Sequence, residues 1–458
     1  MSAESIIIIF VLITFVFLLS GIPVAFVLAS TSLIFASLGV LFGFFDYSFL
    51  LAIPNRIYGI MTNQNLLAVP LFIFMGLILE KTKIAENLLT SMNIFYKNTS
   101  GGFAISVVIV GALMAASTGI VGASVVTLGL LSLPVMIKNG YPPSIACGTI
   151  CASGTLGQII PPSLVLILLA DVLSSAYQQA QLNAGIFAPE TVTISDLFAG
   201  AIIPGLLLPI MYILYIKFQK IECSEEYSND EYIQTENLSL YKYFIPPILL
   251  ILIVLGSIIF GIATPSEASA LGAAGAFFLA LSQKRISKII INTTAKETIK
   301  LTSMVFMILI GATFFSLVFR GLDGEAFIHN LLLVDANDKN FSLIIVLLLM
   351  FFLGFILDFI EIIFIIIPLF GPALFSLGFE PIWIGILIAM VLQTSFLTPP
   401  MAMAAYYLKG VAGDSIELIE IFKSIMPYLA IVIFTMVLMY NFPQIALFLP
   451  DYFFGIGK

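Results

Sequence analysis

Charge is scarce in this sequence: of 458 residues only 10% are Asp, Glu, Lys or Arg, against 60% hydrophobic. Soluble globular chains carry about 25% charge and about 45–50% apolar residues. Folded in water, this composition would expose far too much apolar surface, which excludes a soluble enzyme; the same hydrophobicity excludes a disordered chain. Basic residues are in deficit as well. With 18 Lys+Arg against 26 Asp+Glu, no basic footprint is offered to nucleic acid. Histidine is nearly absent: His329 stands alone in a polar connection, without Cys or carboxylate company at ligand spacing. Cysteine is rare too. Cys147, Cys151 and Cys223 are an odd set lacking metal spacing, and the first two, four apart on an apolar run, read as packing residues. The first 20 residues have neither a basic n-region nor an A-x-A cleavage site, so they read as a first span and not as a removed signal.

What the chain has instead is long apolar runs, with a mean hydropathy of +1.14. They are too long and too unalternating for a transmembrane barrel, so the expected class is an all-α polytopic membrane protein. About 20 apolar residues cross a bilayer core. That predicts about ten spans, at 5–20, 23–44, 62–82, 145–170, 196–216, 243–262, 265–282, 298–319, 382–409 and 420–448. The stretches 102–138 and 341–376 are too long for one span and are interrupted by Gly, Ser or Asp. Each fits a re-entrant helical hairpin. Short amphipathic stretches at 47–60, 84–97, 284–297 and 322–334 lie between spans, and Arg285–Lys300 reads as an interfacial helix lying flat.

Lys and Arg decide orientation. With the N-terminus outside and both interrupted stretches as hairpins, 14 of the 18 positive charges fall inside, including the Lys284–Lys300 cluster; only Arg56, Arg320, Lys339 and Lys458 fall outside. Both termini then lie outside. If the first hairpin were a single crossing, the cluster would move outside. Between Lys220 and Lys242 the chain holds six acids (Glu222, Glu225, Glu226, Asp230, Glu231, Glu236) and no basic residue. Residues 221–242 read as an acidic cytoplasmic linker between two halves, 1–220 and 243–458.

The halves resemble each other. Residues 134–162 and 372–400 align without a gap at an offset of 238, pairing Pro134/Pro372, Gly140/Gly378, Pro143/Pro381, Pro161/Pro399 and Pro162/Pro400. Each half holds five spans and a hairpin, an odd number of crossings, so the two must be inverted. Inverted repeats of this kind mark secondary transporters.

Within the broken helices 145–170 and 382–409, Gly154-Thr155-Leu156-Gly157-Gln158 precedes Pro161-Pro162, and Gln393-Thr394-Ser395 precedes Thr398-Pro399-Pro400. Proline frees the carbonyl four residues back. Unwound backbone at membrane depth is tolerated only in protein or along a cavity. Freed carbonyls with Thr, Ser and Gln oxygens make a hard-oxygen cage suited to Na⁺. The first hairpin tip, Ala116 to Ser124, is small and polar; the second contains Gly354, Asp358 and Glu361. A carboxylate at bilayer depth costs about 2.5–3.5 kcal/mol. No Lys, Arg or His lies in 341–408, so a bound cation or a proton is the natural counter-charge, with Asp358 the first choice of ion ligand. Half-helix N-termini can hold a substrate carboxylate without a basic residue. An intramembrane enzyme lacks its nucleophile, base or metal cluster here, and a channel lacks a ring of charge along a continuous path.

The runs STGIVGASVVTLGLLSLPVMIKNGY, ICASGTLGQIIPPSLVLILLADVL, GIATPSEASALGA and FLTPPMAMAAYYL resemble the large permease (M) subunit of the tripartite ATP-independent periplasmic (TRAP) transporters, in its unfused form. The resemblance covers nearly the whole chain. It implies a separate small membrane subunit (Q), a soluble periplasmic binding protein (P) that delivers substrate, Na⁺ as coupling ion with no other cofactor, and an elevator mechanism in which a domain carrying both hairpins slides against a scaffold. Carried over residue by residue, it implies Na⁺ sites at Ser117, Thr118, Gly122 and Ser124 with Thr155 and Gly157, and at Gly354 and Asp358 with Thr394 and Thr398. The segment DVLSSAYQQAQLNAGIFAPETV resembles the branch paired with binding proteins for 2-oxo acids, lactate or similar organic acids. The expected function is therefore Na⁺-coupled import of a carboxylate, possibly a 2-oxo or hydroxy acid, with a stand-alone cation-coupled carboxylate transporter of similar architecture as the alternative.

Overall fold

The computed structural model describes residues 3–82, 101–219, 221, 245–332 and 339–455, with the side chains of residues 3, 117 and 118 outside the described set. The expected acidic linker, with Cys223, and the amphipathic stretch 84–97 therefore lie outside the described residues. Among the described residues the fold is helical throughout, without a strand. Among the described residues six helices are long and apolar enough to cross a membrane, or seven if the pair Ser48–Thr62 and Asn65–Lys81, bent by 53°, is one span.

In the first half, helices run α1 (Ala3–Leu18), α2 (Val24–Phe42), α3 (Ser48–Leu51), α4 (Ile53–Thr62), α5 (Ala68–Lys81), α6 (Gly102–Thr118), α7 (Val121–Lys138), α8 (Pro143–Thr155), α9 (Leu164–Asn183) and α10 (Ile194–Phe218). The second half has α11 (Ile245–Ile259), α12 (Pro265–Ser282), α13 (Lys288–Gly321), α14 (Gly324–Leu332), α15 (Lys339–Leu353), α16 (Phe359–Ser376), α17 (Pro381–Ser395), α18 (Met403–Ala412), α19 (Leu418–Asn441) and α20 (Gln444–Phe454). The offset of 238 recurs in their bounds: Val121/Phe359, Lys138/Ser376 and Pro143/Pro381 begin or end matching helices. Local chemistry sets these ends. Pro143 and Pro381 open α8 and α17, where a missing N–H costs nothing. Thr193 and Thr264 form capping boxes with Asp196 and Glu267 at the starts of α10 and α12.

Large apolar side chains cover much of the outside, and a set of polar ones is buried. Val16, Phe26, Leu41, Leu252 and Phe278 are exposed, as lipid requires, while Thr149, Ser153, Thr155, Gln158, Ser163, Gln393 and Thr394 are buried. One group of helices packs α2 on α13, α5 on α12 and α13, and α11 on α12. A Cβ on Gly311 of α13 would strike the Ala25 carbonyl of α2, and one on Gly272 of α12 would stand 2.7 Å from the Met75 sulfur.

The other group interlocks the two halves. The arms α6 and α7 fold back on each other, with Gly111 facing Leu128. α7 packs on α18 of the second half, through Gly129 and Leu408, and α16 packs on α9 of the first, through Gly371 and Ala176 and a T-shaped contact of Tyr177 with Phe375 at 5.4 Å. α19 clamps both broken helices. The Thr149 and Tyr428 hydroxyls share a 2.7 Å hydrogen bond, and Trp383 Nε1 donates to the Met439 carbonyl at 3.0 Å. Asn63, at the bend between α4 and α5, joins the two groups: its Nδ2 donates to Asp171 of α9 at 2.7 Å while its Oδ1 accepts from the Asn65 N–H at 2.9 Å.

Four expectations need correction. No separate interfacial helix exists at 284–297, because nothing between Lys288 and Leu309 breaks a helix and α13 runs unbroken for 34 residues. The polar residues after Asp171 continue α9 to Asn183, held by side-chain bonds one turn apart between Gln178 and Ser174 and between Gln179 and Asn183. The last span ends at Asn441, and Pro443 then starts a further helix, α20. His329 belongs to α14 and not to a connection.

Candidate functional site

The centre of the interlocked group is built from two breaks and two hairpin tips. α8 ends at Thr155, a 3-10 turn covers Leu156–Gln158, and irregular backbone with a cis Pro161-Pro162 bond leads to α9. α17 ends at Ser395 and irregular backbone with a cis Pro399-Pro400 bond leads to α18. Each helix thus loses its ladder before the double proline, which moves the break one turn upstream of the prolines themselves.

Each tip sits on the break of its own half. A Cβ on Gly157 would stand 2.9 Å from the Ala115 carbonyl of α6. Gly119 closes the first tip in the left-handed region, its N–H bonded to the Ala115 carbonyl at 3.0 Å, a conformation suited to glycine. Gly354 approaches Ser395, and the rings of Phe359 and Phe396 meet at 5.7 Å. The two sites also meet across the halves: a Cβ on Gly122 would lie 2.9 Å from the Tyr407 ring of α18, and the Cys151 thiol donates to the Ala404 carbonyl at 3.5 Å. Tyr407 had no signal in the sequence, since an aromatic ring on an apolar helix looks like any other packing residue.

The hydroxyls at the breaks are turned back on their own helices. Thr155 Oγ1 donates to the Ala152 carbonyl at 2.8 Å, Thr394 Oγ1 to Val391 at 2.6 Å, and Thr398 Oγ1 to Thr394 at 2.6 Å. A hydroxyl that gives its proton to a carbonyl still presents oxygen lone pairs, which is the form in which it can coordinate a cation. Thr155 and Thr394 also stand at helix C-terminal ends, where the backbone dipole is negative. Ser124 is buried in α7. The side chains of Ser117 and Thr118 lie outside the described residues, so the structure places only their backbone, at the end of α6.

Asp358 is the N-cap of α16. Its Oδ1 accepts from the Phe359 N–H at 2.8 Å, and its own N–H donates to Glu361 Oε2 at 3.3 Å, a reciprocal capping box. Glu361 therefore serves the same helix start as Asp358. No ion pair among the described residues reaches either carboxylate. The other helix N-termini at the centre differ. α9 is capped by Ser163, which accepts from the Leu166 N–H at 3.4 Å, whereas α7 and α18 begin without a side-chain cap. These two pack against each other, Gly122 of α7 facing the Tyr407 ring of α18. Among the described residues no group of three or more His, Cys, Asp or Glu could hold a metal ion.

The sequence matches the family model described as "Tripartite ATP-independent periplasmic transporter, DctM component" over residues 11–445. It is 27% identical over 388 residues to the C4-dicarboxylate TRAP transporter large permease protein DctM of Pseudomonas aeruginosa, covering 83% of this chain and 85% of that one. It is 26% identical over 399 residues to the sialic acid TRAP transporter large permease protein SiaM of Vibrio cholerae, covering 84% and 86%. In three dimensions the fold is similar to the YdaH transporter of Alcanivorax borkumensis, with a TM-score of 0.64, 13% identity, and 88% of this chain and 90% of that chain covered.

Proposed function

The chain belongs to the DctM component family of the tripartite ATP-independent periplasmic transporters, and from that premise we propose that it is the large membrane subunit of a Na⁺-coupled importer of an organic acid. It is a multi-pass membrane protein and a transporter, not an enzyme. In this reading its two halves are inverted repeats, each with a re-entrant hairpin, and it sits in a bacterial inner membrane with both termini periplasmic. It works with a small membrane subunit and takes its substrate from a periplasmic binding protein.

One observation carries the reading: each hairpin tip rests on the helix break of its own half, Ala115 on Gly157 and Gly354 on Ser395, with the Thr155, Thr394 and Thr398 oxygens at the breaks. Discontinuous helices near the bilayer midplane are where secondary transporters bind substrate and coupling ion. The C-terminal ends of α8 and α17, their freed carbonyls and the threonine lone pairs suit Na⁺. The N-termini of α7 and α18, where the backbone dipole is positive, suit the substrate carboxylate. Asp358 supplies the negative charge that a second Na⁺ would neutralise. The helices α2, α5, α12 and α13 act as a scaffold along which the interlocked hairpin group moves as an elevator.

The test is uptake of labelled organic acids into proteoliposomes containing this chain and its small subunit, with and without the binding protein and an inward Na⁺ gradient. Uptake that requires all of them is the expected result. Uptake by this chain alone would overturn the tripartite reading in favour of a stand-alone carrier, and uptake indifferent to Na⁺ would overturn the coupling.

A further inference from the structure

The run GIATPSEASALGA does more than start α12. Thr264 and Glu267 cap the helix, and between them the Ser266 hydroxyl donates to the Gln64 carbonyl in the bend between α4 and α5. The bend is thereby fastened to the helix group formed by α2, α5, α12 and α13. Asn63, next to Gln64, reaches the other group instead. Its Oδ1 accepts from the Asn65 N–H at 2.9 Å, which fixes the orientation of the amide, and its Nδ2 donates to Asp171 Oδ1 at 2.7 Å. Asp171 lies on α9, the helix that leaves the first break and packs on the hairpin arm α16. Among the described residues its carboxylate has no other hydrogen bond and no ion pair.

We propose that the Asn63–Asp171 hydrogen bond is a latch on the interlocked group: it holds that group in the position seen here and must open before the group can slide. The inference rests on the elevator reading above and adds to it a contact that sets the balance between positions. The geometry carries it. One partner is fastened to the scaffold through Ser266, and the other is built into the helix beyond the break. A charge-assisted hydrogen bond of 2.7 Å is lost once one partner moves away by more than about 1 Å. When it opens, Asn63 keeps its bond to Asn65, but Asp171 loses the donor that the fold supplies. A contact made in only one of two states shifts their ratio by its own free energy. For a hydrogen bond to a charged group that shift is about tenfold. A bond that only stabilised the fold would add to Tm and leave the ratio unmoved.

The test reads position and not transport, so it needs no knowledge of the substrate. In a chain whose native cysteines are replaced by serine, spin labels are attached at Leu41→Cys on α2 and Leu182→Cys on α9, two exposed positions. Their separation is measured by pulsed electron–electron double resonance in proteoliposomes of the complex with its small subunit, in Na⁺ and with choline in its place. The expected result is two separations, one of which matches this structure. Asn63→Leu should lower the share of that one relative to the other by about tenfold. Asp171→Asn, which keeps an acceptor for the Asn63 amide, should lower it less, and Ser266→Ala, which loosens the bend, should act in the same direction. Should Asn63→Leu fail to assemble, these two variants give the same readout. Two separations whose ratio is the same in the unaltered complex and in every variant overturn the latch and leave the elevator standing, even if Tm falls. A single separation in all variants and both salts means that the two groups do not move against each other; the elevator reading then fails and takes this proposal with it.

Discussion

Gly354 stands so close to Ser395 that a Cβ on the glycine would lie 2.7 Å from the serine Cβ. In the other half the contact is made the opposite way round. There Gly157, which the offset of 238 pairs with Ser395, is the residue with no side chain, and its partner is the Ala115 backbone. Tip and break approach equally closely in both halves, but the glycine sits on the hairpin in one and on the broken helix in the other.

This exchange makes a rescue experiment possible. Gly354→Ala overpacks the second tip, an error that costs about 1–3 kcal/mol in a well-packed interior, and is expected to reduce uptake at least tenfold. Adding Ser395→Gly removes the atom it strikes and is expected to restore most of the rate. Gly157→Val meets backbone at Ala115, which has no side chain to trim, and is expected to block transport without rescue. Full activity of Gly157→Val in a proteoliposome assay would mean that the break is only a kink.

Asp358 caps a helix and carries a charge, and the two roles come apart under substitution. Asparagine caps about as well as aspartate, whereas alanine costs about 0.5–2 kcal/mol. Asp358→Asn is expected to leave Tm and assembly with the small subunit nearly unchanged and to abolish Na⁺-dependent uptake. Asp358→Ala should lose both uptake and stability. Normal uptake and Na⁺ dependence in the asparagine variant would remove Asp358 from the ion ligands and leave it the capping role alone.

The hydrogen bond from Asn63 to Asp171 joins the bend of α4 and α5 to α9. Asn63→Leu leaves a half-buried carboxylate without its donor, at a cost of about 1–3 kcal/mol at most, and should lower Tm measurably. Asp171→Asn keeps an acceptor for the Asn63 amide and should lower it less. Melting temperatures of both variants equal to that of the unaltered chain would show that the contact does not contribute to stability.

Orientation is testable with single cysteines. Phe187 is 96% exposed in the connection after α9, which the proposed orientation puts outside. In a chain whose native cysteines are replaced by serine, Phe187→Cys should react with an impermeant maleimide added to intact cells, and Lys284→Cys should react only after the membrane is opened. The reverse pattern would invert the whole topology.

The sequence revealed more of the architecture than of the chemistry. Apolar runs and the prolines at positions 143, 161, 381 and 399 locate helices and breaks because they act through backbone rules that need no partner. The continuity of α13 was hidden by the charges between Lys288 and Lys300, which suggest an interfacial segment although none of them breaks a helix. The capping role of Asp358 was legible in principle, since Glu361 follows three residues later, but carboxylates in an apolar stretch draw attention to ions first. The significance of Asn63 was not legible at all. An asparagine in a sequence gives no sign of where its amide finds a partner, and only the packed structure brings Asp171, 108 residues away, to it.

The unbroken α13 has a mechanical consequence. At 1.5 Å per residue its 34 residues extend about 51 Å, against a hydrocarbon core of about 30 Å. Roughly 14 residues must therefore stand clear of the lipid tails, or the rod must lean steeply. In the first half the matching segment is jointed at Asn63 and can yield there; α13 cannot. A tilt of about 10° at Gly311, where the helix bears on Ala25, would swing Lys288 by about 6 Å. Of the two matched segments one is bent and the other unbroken, so only α13 would carry a tilt along its whole length.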